Sequence, residues 1–174
     1  RTATTQIVGS HPGNAFGQGK EVPLIAMAHG IPYVATASIA DLRDLERKVK
    51  KAMTFHGARY IRVLVPCPLG WGAASKDTVK LARLAQESGL FPVFEAEYGE
   101  ITNVTKIRKL APVEDYMKLQ KRYAHLFGPK ADQSALIRIK AIAERNIRRF
   151  GLLGDERSEP MPPAVQADER ADRL

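Results

Sequence analysis

The residue whose chemistry stands out is the chain's only cysteine, Cys67. It stands between Pro66 and Pro68, directly after the apolar run 63–65, and the only tryptophan, Trp71, follows four residues later. Loops at the carboxyl ends of strands in open α/β sheets are common ligand sites. A thiolate there can hold a metal, attack an electrophile, or pack as a small apolar group. Composition alone favours packing, and the residues leave the three roles open.

The four histidines are the other candidate ligands, and none stands at metal-ligand spacing from another histidine or from Cys67. His29 and His56 each precede a glycine. This position favours a role at the C-terminus of a helix, where the side chain interacts with the helix dipole. His125 stands beside aromatic and apolar residues, so we expect it to be a packed or interface residue and not a catalytic one. His11 lies in a glycine-rich N-terminal run and stays open as a ligand contact. Because Walker, nucleophile-elbow and paired-cysteine motifs are absent, the catalytic and cofactor-contacting residues stay unknown.

Length and composition indicate one domain with appendages. The 174 residues are 44% hydrophobic, enough for a sizeable core. No run approaches the roughly 18 apolar residues of a membrane span, and no secretory leader pattern is visible. A single cysteine agrees with a reducing compartment, so the expected location is the cytoplasm.

The charge is unevenly distributed along the chain. The net charge is +8, but residues 155–174 carry six acids and three arginines, a net of −3, which leaves +11 on residues 1–154. Such a basic body attracts nucleic acid, an acidic protein or a phosphorylated cofactor. Charge alone does not choose among them.

Strand and helix patterns alternate with short connections between residues 21 and 97. The predicted helices are 21–29, a segment that begins after Ser38, and 77–88; the predicted strands are 31–37, 60–65 and 90–97. This alternation is typical of right-handed crossovers. The sequence therefore predicts an α/β fold with a mostly parallel sheet and helices on both faces.

The helix after Ser38 has a clear apolar periodicity. The residues predicted to face the core are Leu42, Leu45, Val49, Ala52 and Met53. The residues predicted to face water are Arg43, Glu46, Lys50 and Lys51.

The two ends of the chain differ from its centre. Residues 98–100 predict a turn that leads into 101–105, a small hairpin at the sheet edge. Residues 101–154 as a whole predict a C-terminal hairpin and helical arm, with helices over 112–126 and 132–150. Residues 155–174 predict a disordered tail, and residues 2–20 carry no strand or helix signal. The start at Arg1 leaves two interpretations open, a flexible terminus or the later part of a longer polypeptide.

The hexapeptide 66–71, Pro-Cys-Pro-Leu-Gly-Trp, resembles the Pro-Cys-Pro-x-Gly-Trp element of one known family. That family is the beta subunit of the 2-oxoacid:ferredoxin oxidoreductases, the pyruvate synthase family. Further stretches are similar to it in the same order: residues 1–5, 28–38, 78–94, 112–116 and 123–126. The resemblance extends over about residues 1–127, and it corresponds to the C-terminal half of that subunit.

The resemblance implies a fold and a set of cofactors. Residues 21–100 would be the C-terminal half of a thiamine-diphosphate-binding α/β domain, and residues 1–20 a loop near the cofactor or a partner subunit. The family uses thiamine diphosphate, Mg²⁺ and a 4Fe–4S cluster, of which Cys67 would be one ligand. The other three cluster cysteines and the motif that holds Mg²⁺ and the diphosphate are absent from this sequence.

The implied activity is oxidative decarboxylation of a 2-oxoacid (pyruvate or an aryl or branched analogue) with coenzyme A to acyl-CoA, with electrons passed through 4Fe–4S clusters. The implied partners are the remaining N-terminal half of the subunit, an alpha subunit, ferredoxin-like electron-transfer subunits, and an acidic ferredoxin or other acceptor. Which 2-oxoacid is used, and what accepts the electrons, stays open.

Two alternative functions remain. A non-catalytic scaffold subunit would keep the fold without the chemistry, and the intact hexapeptide argues against it. A basic nucleic-acid-binding domain is suggested by the pI of 9.7 and the cluster Lys48, Lys50 and Lys51. However, aromatic residues are only 7% and no nucleic-acid-binding motif is present. The iron content of a Cys67→Ser variant distinguishes the enzyme from both alternatives, because only the enzyme would lose a cluster.

Overall fold

The computed structural model describes residues 7–8, 11–12, 20–129, 131 and 133–154. The strands within this part are β1 (Ile7–Val8), β2 (His11–Pro12), β3 (Tyr33–Ser38), β4 (Arg59–Leu64), β5 (Phe94–Glu97) and β6 (Glu100–Val104). The α-helices are α1 (Val22–Ala28), α2 (Leu42–Ala52), α3 (Pro68–Trp71), α4 (Thr78–Glu87), α5 (Val113–Lys118) and α6 (Gln133–Phe150). Two 3₁₀ segments, Ser75–Asp77 and Lys121–Leu126, complete the set.

β1 and β2 form a two-residue antiparallel pair in a run for which the sequence predicts no strand. The tail 155–174 and the rest of residues 1–19 lie outside the described residues, so the predictions for both ends stay predictions.

The main sheet has the strand order β4-β3-β5-β6. β3 and β4 run parallel, with Tyr33 opposite Arg59 and Ser38 opposite Leu64. β5 is antiparallel to β3, and β6 is antiparallel to β5. The α/β class and the predicted hairpin are therefore confirmed. The prediction of a mostly parallel sheet is wrong, because one of the three pairings in the described sheet is parallel.

The reversed direction of β5 follows from the connection before it. Residues 65–77, which contain α3 and a 3₁₀ turn, separate β4 from α4. The chain then enters β5 at the carboxyl end of β3, where the Thr36 hydroxyl donates to the Pro92 carbonyl at 2.8 Å and accepts the Phe94 N–H at 2.9 Å. β5 thus starts at the end of the sheet where β3 and β4 stop. Alternating strand and helix patterns do not encode this direction.

Helices cover both faces of β3, as predicted, and all six residues of this strand are buried. On one face α2 packs Ala52 against Tyr33 and Ala35. On the other face α1 and α6 place Ala26 and Phe150 in a second apolar cluster. Burial on both faces agrees with the apolar side chains at four of the six β3 positions, and the two buried polar residues, Thr36 and Ser38, are hydrogen-bonded.

The largest apolar cluster lies beside the sheet, among α4, α5 and α6. Met117 of α5 is fully buried there, together with Leu81 of α4 and Ile139 of α6. The helix predicted over 132–150 is confirmed as α6. The one predicted over 112–126 is instead divided into α5 and the second 3₁₀ segment. None of the described helices is long and apolar enough to cross a membrane.

The buried side of α2 differs from the predicted one. Lys48 is 1% exposed, and its Nζ donates to the Thr36 carbonyl at 2.8 Å and to Asp44 Oδ2 at 2.6 Å. Ala52 is buried as predicted, whereas three residues predicted for the core are exposed: Leu42, Val49 and Met53. The prediction is wrong because a buried carboxylate on β5 faces α2 and binds its charged side.

Candidate cysteine site

Cys67 lies in the turn between β4 and α3, at the end of the sheet where the parallel strands β3 and β4 both stop. Its backbone is extended (φ −99°, ψ 106°), and it caps the N-terminus of α3. Its Sγ accepts the N–H of Gly70 at 3.3 Å, and its carbonyl accepts the N–H of Trp71 at 3.0 Å. Pro68 begins the helix, a position that needs no N–H donor. The cysteine is exposed, so its own loop orients the thiol and leaves it open to a ligand.

The cysteine loop is fastened to the second 3₁₀ segment by the backbone of Gly72. Gly72 has a left-handed conformation (φ 64°, ψ 40°), and its carbonyl accepts the N–H of Lys121 at 3.2 Å. A Cβ on Gly72 would lie 2.7 Å from the Cβ of Lys121. The approach is too close for any side chain, and only glycine adopts this conformation without strain.

Arg122 holds the other end of α3. The centre of its guanidinium lies 3.9 Å from the ring centroid of Trp71 and 4.8 Å from that of Tyr123. Its Nε donates to Gln120 Oε1 at 2.8 Å, and one terminal nitrogen donates to the Tyr116 hydroxyl at 3.2 Å. A planar guanidinium stacks and donates at the same time, which a lysine does not. Arg122 therefore joins the loop of Cys67 to α5 and the 3₁₀ segment.

We expect Arg122→Ala to lower the free energy of unfolding by about 1 to 2 kcal/mol, because a cation–π contact and two hydrogen bonds are lost. Trp71 is the only tryptophan, so urea unfolding followed by its fluorescence measures the effect at the site itself. Arg149→Ala is the matched control, since Arg149 lies 5.8 Å from the Phe150 ring. Equal stabilities of the two variants, with unchanged Trp71 emission, would refute the role of Arg122.

The described residues contain no group of three His, Cys, Asp or Glu side chains able to hold a metal ion. Cys67 thus offers a single thiolate. His29 caps the C-terminus of α1, as predicted. His56 lies four residues after the end of α2 and is not a helix-terminal residue. His125 is exposed in the second 3₁₀ segment, and His11 lies in β2.

A buried polar group on β5, which the sequence reading missed, is centred on Glu95. Glu95 is fully buried, and its Oε2 accepts from the Tyr33 hydroxyl at 2.8 Å. Its Oε1 accepts from Arg47 at 2.7 Å and from Asn103 Nδ2 at 3.0 Å. Lys51 Nζ lies 3.4 Å from Oε2. Every oxygen of the carboxylate is therefore paired, as a buried charge requires.

A sequence signal for this group exists on α2. Its polar residues recur at the helical spacing i, i+3, i+4 and i+7: Asp44, Arg47, Lys48 and Lys51. That spacing places them on one face, which is the face that covers Glu95. The neighbouring apolar stripe has the same period, and it predicts the opposite side of α2 as the buried one.

The pKa values of two residues in and beside this group, Glu95 and Lys48, differ from their ordinary values. Burial raises the pKa of Glu95, but the hydrogen bonds from its three donors lower it more, to about 2. Burial lowers the pKa of Lys48, against the raising effect of Asp44. The contacts of Glu95 with Arg47 and Lys51 hold α2 on the sheet. These contacts depend on the ionised form of the Glu95 carboxylate.

Fold and site together define an α/β domain that presents one exposed thiol where the parallel strands β3 and β4 end. No family model matches the chain. The chain is 47% identical over 133 residues to pyruvate synthase subunit PorB of Methanosarcina barkeri, which covers 76% of this chain and 45% of that subunit. It is 46% identical over 123 residues to the same subunit of Methanocaldococcus jannaschii, covering 71% of this chain and 41% of the relative.

Ketoisovalerate oxidoreductase subunit VorB of Pyrococcus abyssi is 41% identical over 109 residues, which cover 62% of this chain and 35% of that subunit. The chain belongs to the family of 2-oxoacid:ferredoxin oxidoreductase beta subunits. It spans somewhat less than half the length of the relatives that it matches.

Proposed function

We propose that this chain is part of the thiamine-diphosphate and iron–sulfur beta subunit of a 2-oxoacid oxidoreductase. The assembled enzyme would convert a 2-oxoacid, with coenzyme A, to acyl-CoA and carbon dioxide and pass the electrons to an acceptor. Support comes from the relatives, which are named for pyruvate synthase and for ketoisovalerate oxidoreductase. Pyruvate, a branched 2-oxoacid or an aryl analogue are the candidate substrates.

The observation that carries the proposal is the exposed thiol of Cys67 in its proline-flanked turn. Clusters of the 4Fe–4S type are held by four cysteine thiolates, and N–H groups that donate to sulfur help set the reduction potential. Cys67 fits one of these four positions, because its sulfur is accessible and already accepts the Gly70 N–H. When bound, such a cluster supplies one-electron transfer. The other three thiolates would come from outside this sequence, because Cys67 is its only cysteine.

This chain's own residues orient that thiol. The Gly70 N–H orients the exposed Sγ, and Arg122 fixes α3 through Trp71. We propose that the indole and the guanidinium also limit the access of water to a ligand bound there, which would tune its environment. We assign none of the described residues to thiamine diphosphate or Mg²⁺. We propose that both are shared with the rest of the subunit.

The proposed partners are the remaining N-terminal half of the beta subunit, an alpha subunit and ferredoxin-like electron-transfer subunits. The net charge of +11 on residues 1–154 supports an acidic ferredoxin as acceptor, because opposite charges accelerate encounter. A cysteine that must stay reduced to bind iron suits a reducing compartment, and we propose a cytoplasmic complex.

The test is the iron and acid-labile sulfide content of the complex, purified without oxygen, for the wild type and Cys67→Ser. We expect the variant to lose about four irons per beta subunit and the matching absorbance, because one thiolate of the cluster is gone. Reduction of a dye by 2-oxoacid and coenzyme A is expected to fall with the iron.

Leu69→Ser is the matched control. Leu69 is 96% exposed in α3, the helix that Cys67 caps, and the change introduces the same hydroxyl group. It is expected to keep the iron. An iron content that Cys67→Ser leaves unchanged would contradict the proposal and favour the non-catalytic scaffold.

A further inference from the structure

The chain around the cysteine turn is positively charged. Residues 60–76, which contain the turn, include two lysine or arginine side chains and no aspartate or glutamate. Residues 116–127, which the turn contacts through Gly72 and Trp71, include three such cations and again no acid. A ligand held by Cys67 therefore has cations, and no carboxylate, both in the segment that holds it and in the segment packed against that one.

Arg122 is the cation of these two segments whose position is fixed by the most contacts. Its guanidinium lies over the rings of Trp71 and Tyr123 and donates hydrogen bonds to Gln120 and Tyr116. Its side chain is half-buried, and within the described residues it has no ion-pair partner. The lysines of the two segments are all exposed: Lys76, Lys118 and Lys121. The charge of Arg122 is therefore both fixed in place and without a neutralising carboxylate.

Arg62, the other arginine of these segments, has a carboxylate beside it. One of its terminal nitrogens lies 3.8 Å from Glu21 Oε2, and its guanidinium lies over the ring of Phe91. A nearby opposite charge reduces the field of a cation at longer range. We therefore place the electrostatic effect at Arg122 and not at Arg62.

Trp71 connects Arg122 to the cysteine. The N–H of Trp71 donates to the Cys67 carbonyl at 3.0 Å, so one helical turn separates the two residues. The centre of the guanidinium lies 3.9 Å from the Trp71 ring centroid, which fixes its charge beside the short helix that Cys67 caps. Water and salt screen a partly buried charge less than an exposed one. Among the cations of the two segments, Arg122 is thus expected to act most strongly on a ligand at Cys67.

We propose that the charge of Arg122 raises the reduction potential of an iron–sulfur cluster bound through Cys67. This inference rests on the proposed function, in which Cys67 is one of the cluster ligands. A cluster held by thiolates is an anion that gains one more negative charge on reduction, and its potential depends on nearby charge and on solvent exposure. A fixed cation stabilises the reduced form. The electron comes from the 2-oxoacid in the proposed reaction and from dithionite in a titration, and no bond or proton is transferred in this step.

Exclusion of water by the same side chain has the opposite effect on the potential. Water stabilises the more highly charged, reduced form, so a drier site has a lower potential. Removal of Arg122 therefore lowers the potential if its charge dominates and raises the potential if its shielding dominates. Lysine separates the two effects, because it keeps the charge but lacks the planar group that stacks and donates at the same time.

The test is a titration with dithionite of the complex purified without oxygen, followed by electron paramagnetic resonance, for the wild type, Arg122→Gln and Arg122→Lys. The signal that Cys67→Ser lacks identifies the cluster. For Arg122→Gln we expect the ratio of reduced to oxidised cluster at a fixed potential to fall about tenfold, which corresponds to a midpoint lower by about 59 mV for one electron. Arg122→Lys is expected to shift the midpoint by less than half as much, because it keeps the charge.

Arg149→Gln is the matched control, because it removes the same charge from α6, where the guanidinium lies over the Phe150 ring. We expect it to leave the potential unchanged. Arg122→Met is a second neutral variant, whose unbranched side chain still covers the Trp71 ring if glutamine weakens the loop. An unchanged or higher potential in the neutral variants would overturn the inference.

Loss of the cluster from both neutral variants would overturn it too, since Arg122 would then be needed to hold the cysteine loop and not to set the potential. The iron content of Cys67→Ser tests the proposed function. The potential of the Arg122 variants at full iron content tests only the present inference, so the two proposals fail separately.

Discussion

Glu95→Gln is expected to lower the free energy of unfolding of this chain by about 3 kcal/mol at pH 7. The carboxylate is fully buried, and its pKa is about 2 in the fold against 4.5 ordinarily. Each pH unit between those values corresponds to about 1.4 kcal/mol. The amide of glutamine replaces an acceptor with a donor, in front of donors from Tyr33, Arg47 and Asn103.

The same difference should depend on pH in a defined direction. A carboxyl whose pKa is lower in the fold stabilises the fold fully above its unfolded pKa, and that stabilisation is lost as the pH falls through the folded pKa. For Glu95 the window runs from about pH 4.5 down to about pH 2. The gap in stability between the wild type and Glu95→Gln is therefore expected to be constant from pH 7 to pH 5 and to shrink below pH 4.5.

Urea unfolding at pH 7, 5, 4 and 3 measures both expectations. Glu100→Gln on β6 is the matched control, because Glu100 is exposed, and its effect is expected to stay within about 0.5 kcal/mol. If Glu95→Gln behaves like Glu100→Gln, the group on β5 does not hold α2 to the sheet.

Gly89→Ala is expected to cost about 3 kcal/mol, the sum of backbone strain and overpacking. Gly89 follows α4 with φ +76°, and a Cβ would lie 2.7 Å from Ile147 Cγ1 and 3.1 Å from the Ala143 carbonyl oxygen of α6. Its own carbonyl accepts from Asn146 Nδ2 at 3.0 Å, so the backbone is not free to move away.

Gly30→Ala separates the two costs, because Gly30 has φ +68° and a Cβ there meets nothing within 4 Å. We expect it to lose only the backbone contribution, about 1 kcal/mol. Urea unfolding of both variants measures the difference. Equal losses would mean that α6 yields to the added methyl group and that the contact between α4 and α6 is loose.

The elements themselves could be predicted from the sequence, because apolar spacing depends on local geometry alone. α6 begins one residue after its predicted start and ends where predicted. The direction of β5 could not be predicted, because it depends on the end of the sheet at which the chain enters this strand. The spacing of the polar residues on α2 marks them as one face, but not as the buried one, because Glu95, the partner of Arg47, lies 48 residues further along the chain.

The candidate site was likewise predicted only in its local part. The residues around Cys67 indicate a turn after a strand, and the structure has that turn. Arg122, which stacks on Trp71, is distant in sequence and lies in a segment predicted as regular helix. Contacts between distant segments depend on the tertiary arrangement, which periodicity does not contain.

The position of β4 at the end of the described sheet has a consequence for association between copies of the chain. A strand edge that has no partner within the described sheet can pair with the same strand of another copy. Arg59 and Arg62 stand within this strand, 43% of the Arg62 side chain being exposed. Charged residues in an exposed strand act as gatekeepers against aggregation. We expect these two arginines to oppose the pairing of β4 with the same strand of another copy.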